Sequence, residues 1–167
     1  MALTPDEMLK LRKACDQLDD GPDYRCTDYI YNLLNTALDF YMSSKTADAA
    51  ISYFNKTHAV KNLRDMKVLV SQYADTPEGN KSLAKFLWNN NHWSRAKFLR
   101  KLIDFFEKKG ATDQSSLDEW VNRADFEKDI KNKLKTDEHS IGYMLFQRLR
   151  VRCGAIQLNL ICAFLNL

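Results

Sequence analysis

At 167 residues the chain is long enough for one ordinary domain with a real core, or for one domain and part of a second. Five glycines and three prolines exclude a sandwich or other loop-rich fold, and 45% hydrophobic with 28% charged residues is the balance of a folded chain, so composition favours helices. The net charge of +3 hides segregation: residues 61 to 110 hold 11 basic and 5 acidic side chains and residues 127 to 167 hold 7 and 4, against 6 and 9 in residues 1 to 60. A polyanionic partner fits that pattern, and so does a solvated surface.

Cys15, Cys26, Cys153 and Cys162 form no CxxC, and His58, His92 and His139 stand apart, so no zinc site, iron-sulfur site or other cofactor is expected. The opening "MALTPDEMLK" has no apolar run behind a basic stretch, and no segment approaches the length of a membrane span. The expected location is the cytoplasm, with no membrane partner and with reduced thiols.

In chain order, "TPDE" starts a first helix, with Thr4 as cap, Pro5 in the first helical position and Glu7 completing a capping box. "DYIYNLLNTALDFYM" places Ile30, Leu33, Leu34, Ala37, Leu38 and Tyr41 at three- and four-residue spacing, a stripe wide enough to be buried. Thr76 and Pro77 start the helix of "TPEGNKSLAKFLW". In "SRAKFLRKLIDFFEKKG" the stripe is Leu99, Leu102, Ile103 and Phe106, with Lys97, Arg100, Lys101, Lys108 and Lys109 off it and Gly110 as the stop. Ser116 and Glu119 in "SLDE" predict another helix start near residue 117, and Phe126, Ile130, Leu134 and then Ile141, Leu145, Leu149 make two further short stripes. With no alternating strand pattern and no repeat, the expectation is an all-α chain of roughly eight short helices.

The stretch "EHSIGYMLFQRLRVRCG" predicts a hairpin: helices over Asp125 to Leu134 and Tyr143 to Cys153 around a turn with Ser140, Ile141 and Gly142. Positive φ at Gly142 would turn the backbone sharply and leave amides at the start of the second helix free to hold a phosphate. Arg148 and Arg152, one turn apart, would add a cationic edge. Taken alone, the stretch reads first as a plain helical hairpin with a glycine in its loop.

The order "MSSKTADAAISYF", "NNNHWSRAKFLRKLIDFF" and hairpin, over about residues 28 to 154, resembles the helix-hairpin-helix DNA glycosylase superfamily of base-excision repair, the endonuclease-III-like proteins. The resemblance implies a helical barrel domain over 28–154, with 1–27 as the remnant of an incomplete second helical domain. It also implies double-stranded DNA as partner, with Lys45, Ser140, Ile141, Gly142, Tyr143, Arg148 and Arg152 as the binding residues. Ser44, Lys45, Thr46 and Asp48 match the family segment whose glutamine fills the gap left by an extruded base, with Lys45 in the glutamine's place. Thr46 and Asp48 also read as a cap and a first-turn carboxylate. Arg95 and Ala96 match a Lys-Ala pair whose small residue lets helices pack closely.

Two departures bear on catalysis. Bifunctional members carry a nucleophilic lysine two residues after the hairpin's second glycine, where this chain has Met144. The family's aspartate after the hairpin, which stabilises the charge developing on the sugar, has no counterpart, because no acidic residue follows Gly154. Asp137 and Glu138 also make the hairpin loop more acidic than the family's. The expected protein is therefore a DNA binder without the catalytic pair. The alternatives are a monofunctional glycosylase using another carboxylate such as Asp39, and a helical structural or regulatory protein with no nucleic-acid role. Tyr29, Tyr31, Trp88, Trp93 and Trp120 are either a stacking pocket for a flipped base or core aromatics.

Residues 155–167, "AIQLNLICAFLNL", have the wrong character for the loop and helix expected there. With freely chosen codons, a one-base shift turns "IQLNLICAFLNL" into "DTVKPDMRIFKF", which restores a Pro-Asp followed by a basic residue. The ending is thus expected to be frameshifted and the chain truncated, with the apolar tail burying itself or driving self-association.

Overall fold

The stripe at Leu99 forms the middle of the molecule. The computed structural model describes residues 25–38, 42–134 and 142–155, and every regular element within them is helical. These are α1 (Tyr29–Leu38), α2 (Ser44–Thr57), α3 (Leu63–Ser71), α4 (Pro77–Trp88), α5 (Trp93–Lys109), α6 (Gln114–Arg123), a π-helical turn (Phe126–Ile130) and α7 (Tyr143–Arg152). The all-α expectation holds. The predicted first helix at Thr4, the apolar tail and the loop residues Asp137, Glu138, Ser140 and Ile141 lie outside the described residues.

At 17 residues, α5 is about 25 Å long. Ala96, Phe98, Leu99, Leu102, Ile103 and Phe106 are buried along it, and α1, α3 and α4 pack against it. Ala96 is fully buried, as a small residue at a close helix crossing must be. Helix α2 bridges α1 and α4, and α7 closes against α1 and α6. Trp120 of α6 makes edge-on contacts with Phe105, Phe106 and Phe146 at 5.6, 5.5 and 6.4 Å, tying α5 to α7 through the preferred aromatic geometry.

Local sequence sets most boundaries. The Thr76 hydroxyl accepts from the Gly79 amide (3.1 Å) with Pro77 next in line, and Gly110 ends α5 at φ 71°. Helix α3 begins at Asn62, whose side-chain oxygen accepts from the Asp65 amide at 2.9 Å. Two predicted starts shift. Helix α6 is capped by Asp113 instead of Ser116: the Asp113 carboxylate accepts from the Ser116 amide (2.9 Å) while the Ser116 hydroxyl accepts from the Asp113 amide (3.1 Å), a reciprocal box that starts the helix a turn earlier. Helix α2 is capped by Ser43, which accepts from the Thr46 amide, so Thr46 is not the cap, and Asp48 lies past the first turn, which holds no acidic residue.

The first helix of the expected hairpin is also different. In place of an α-helix from Asp125 to Leu134 there is only the π-helical turn, in which the Lys131 amide reaches the Phe126 carbonyl five residues back at 2.8 Å. Asn132 then takes a left-handed φ of 63°, which ends any helix there. Ile130 and Leu134 are buried, so the apolar stripe was read correctly even though its backbone was not.

Candidate nucleic-acid interface

Helix α7 is anchored by Leu145, Phe146 and Leu149, all buried. Its cap residue Gly142 is extended, at φ −81° and ψ 166°. The positive φ expected at Gly142 is not adopted, and a Cβ built there meets nothing within 4 Å, so neither backbone conformation nor crowding requires glycine. The Gly142 carbonyl accepts from the Phe146 amide at 3.1 Å, and no side chain among the described residues caps the helix. Tyr143 is 49% exposed, its ring edge-on to Phe126 at 5.5 Å, and Arg148 is exposed further along.

Arg152 does not share an outward edge with Arg148. Its guanidinium turns inward and donates to the Asn32 side-chain oxygen (3.2 Å) and the Thr36 hydroxyl (2.9 Å), both on α1 and both fully buried. Asn32 in turn donates to the Cys26 carbonyl and to the Gln114 side chain, each at 3.0 Å, and Gln114 donates to Asp118 at 2.6 Å. The Cys26 amide donates to the Arg152 carbonyl at 2.8 Å. Cys153 lies beside this network. Burial, with the Asp118 carboxylate adding, pushes its thiol up to about 12, so it is a protonated core residue and not a nucleophile.

Lys45 is exposed in the first turn of α2, a position where a cation opposes the helix dipole. Burial and the Asp48 carboxylate raise the ionisation of the Tyr31 hydroxyl, and Arg152 lowers it.

The aromatics divide in favour of the core. Tyr29, Trp88 and Trp120 are buried, and the Tyr29 hydroxyl donates to the Ala111 carbonyl at 2.7 Å; burial, reinforced by Asp113, raises its ionisation above the usual tyrosine range. Tyr31 and Trp93 are half-buried. Arg95 is 8% exposed and lowered by burial. Arg100, read as a surface cation, is an internal hub. It donates to the Asn80 side chain (2.8 Å), the Val70 carbonyl (3.1 Å) and the Tyr73 carbonyl (2.7 Å). The sequence reading also missed a groove beside Phe86, whose walls come from parts of the chain about forty residues apart.

No known protein family, curated protein or solved structure matches the chain. No helix among the described residues is long and apolar enough to cross a membrane, and no group of three or more His, Cys, Asp or Glu among them is placed to hold a metal ion. The class the structure defines is that of an all-helical protein built around one central helix.

Proposed function

We propose that this chain binds double-stranded DNA, as a glycosylase-like helical protein that lacks the family's lysine and aspartate and carries only a π-helical turn in place of the hairpin's first helix. The observation that supports the reading is the N-terminus of α7: amides with no side-chain cap among the described residues, bordered by exposed Tyr143, with exposed Arg148 on the same helix. Such an end carries about half a positive charge and directs N–H groups outward, which is what a backbone phosphate needs. Lys45, placed where it costs helix stability, is a second contact in this reading. The binding is positional and sequence-independent, because phosphate contacts carry no base information.

The test is binding of a labelled duplex across salt concentrations. Affinity must fall as salt rises, with a slope of about 0.9 per neutralised phosphate. Arg148→Glu should weaken binding and reduce the slope by about one. Arg152→Met should lower the melting temperature through its lost bonds to Asn32 and Thr36. Salt-independent binding, or none, would establish the rival reading of a helical scaffold, which the inward turn of Arg152 favours.

A further inference from the structure

A shallow, open groove of about 580 Å³ lies between α2, α4 and the turn that follows α4. Its apolar wall is aromatic, made by Tyr53 of α2, Tyr73 after α3 and Phe86 of α4. Phe86 is 36% exposed, and its ring lies 4.3 Å from that of His58 and 5.5 Å from that of Tyr73, both tilted, while His58 Nε2 lies 3.0 Å from the Phe86 carbonyl oxygen.

The polar side of the groove has three properties. Lys81 and Lys85, one turn apart on α4, are exposed, and neither has an ion-pair or hydrogen-bond partner among the described residues. Ser82, Asn89 and Asn91 line it too, and their side chains make no hydrogen bond among those residues. Asn89 holds the left-handed cap of α4 at φ 54°, which fixes where the turn carries the two amides. No carboxylate among the described residues lines the groove.

Each ligand class needs a different subset of these groups. An acidic peptide would use the lysines and leave the rings idle, and a neutral sugar would use rings and amides but leave two unpaired ammonium groups. A nucleotide uses all of them, since it joins a flat base, edge donors and acceptors, and a phosphate. We propose that this groove binds a nucleotide unit, its base against Phe86 and Tyr73, its edge read by Asn89 and Asn91, and its phosphate held between Lys81 and Lys85. The site is separate from the end of α7 and does not rest on duplex binding. A free nucleotide and one residue of a single strand share this chemistry.

The experiment is a set of NMR titrations of the full chain with AMP, adenosine, inorganic phosphate and a short single-stranded oligodeoxynucleotide. AMP is expected to shift the side-chain amides of Asn89 and Asn91 and to bind about tenfold more tightly than adenosine or phosphate alone. Reversing both lysines (Lys81→Glu with Lys85→Glu) should weaken AMP about tenfold or more. Phe86→Ala should weaken AMP and adenosine about fivefold or more while leaving phosphate unchanged. Should Phe86→Ala unsettle the fold, Asn91→Ala on the exposed turn serves instead, with loss of AMP and no change in melting temperature.

An oligonucleotide that binds through the same shifts and far more tightly than AMP identifies a single strand as the source; equal affinity identifies the free nucleotide. AMP no tighter than phosphate, or shifts outside the groove, or indifference to the double charge reversal, overturns the proposal. Arg148→Glu must leave AMP binding intact, so loss of groove binding and loss of duplex binding are separate results.

Discussion

Replacing Arg100 by Met keeps the aliphatic stem and removes the guanidinium that fastens the end of α3 and the start of α4 to α5. The side chain is 14% exposed, and four donor bonds are lost, to Asn80, Val70, Tyr73 and Ala74, with an ion pair to Asp75 at 3.8 Å. A bond from a charged donor to a group that stays buried is worth about 1.5–3 kcal/mol, and Asn80 and Val70 are buried. Tyr73 is only half-buried and Ala74 is exposed, so water replaces most of those two bonds. The expected loss is about 3–5 kcal/mol, equivalent to a fall of about 10 °C in Tm for a chain of this size. Urea unfolding followed by tryptophan fluorescence and far-UV circular dichroism measures it. Arg100→Lys should recover less than half, since one ammonium cannot span four acceptors. A cycle with Asn80→Ala should show a coupling of about 1 kcal/mol or more. A loss below about 1 kcal/mol for Arg100→Met would refute the assignment of this arginine as an internal hub.

Burial and Asp118 hold the Cys153 thiol at about 12 against 9.0 for an unperturbed thiol, so the stability it contributes is complete below pH 9 and lost as pH rises towards 12. About 3 kcal/mol should be gone by pH 11; unfolding curves from pH 8 to 11 should be flatter for Cys153→Ala than for the parent, and identical slopes would sink the claim. Among the glycines, a Cβ at Gly79 would collide with the Ala74 carbonyl whereas one at Gly142 meets nothing. Gly79→Ala should therefore destabilise by about 2 kcal/mol or more, and Gly142→Ala should be neutral or slightly stabilising, as read by urea midpoints; the reverse order would mean that the crowding at Gly79 is absent in solution.

The stripes through Leu33, Leu99 and Leu145 were legible because helical periodicity depends only on spacing along one segment, and each of these residues is buried. Thr76, Pro77 and Gly110 were legible for the same reason, as capping is local. Asp113 was missed because two overlapping cap patterns share Ser116, and only the reciprocal bond with Asp113 decides between them. Arg100 and Arg152 were misread as surface cations. Their acceptors lie 20 to 30 residues away for Arg100 and 116 to 120 residues away for Arg152, and no spacing rule reaches that far. The groove beside Phe86 escaped notice likewise: its aromatic and amide walls meet only after α2 and α4 have packed.

Asn32 touches three stretches of chain at once, through Cys26, Gln114 and Arg152. An apolar seam between α1 and α7 would tolerate sliding by a helical turn, since one leucine replaces another at little cost. A guanidinium does not, because a slide would set Arg152 against aliphatic side chains with no acceptor in reach. The junction therefore works as an alignment key. It gives α7 a single permitted register on α1, and with it a single permitted position for every side chain the helix carries.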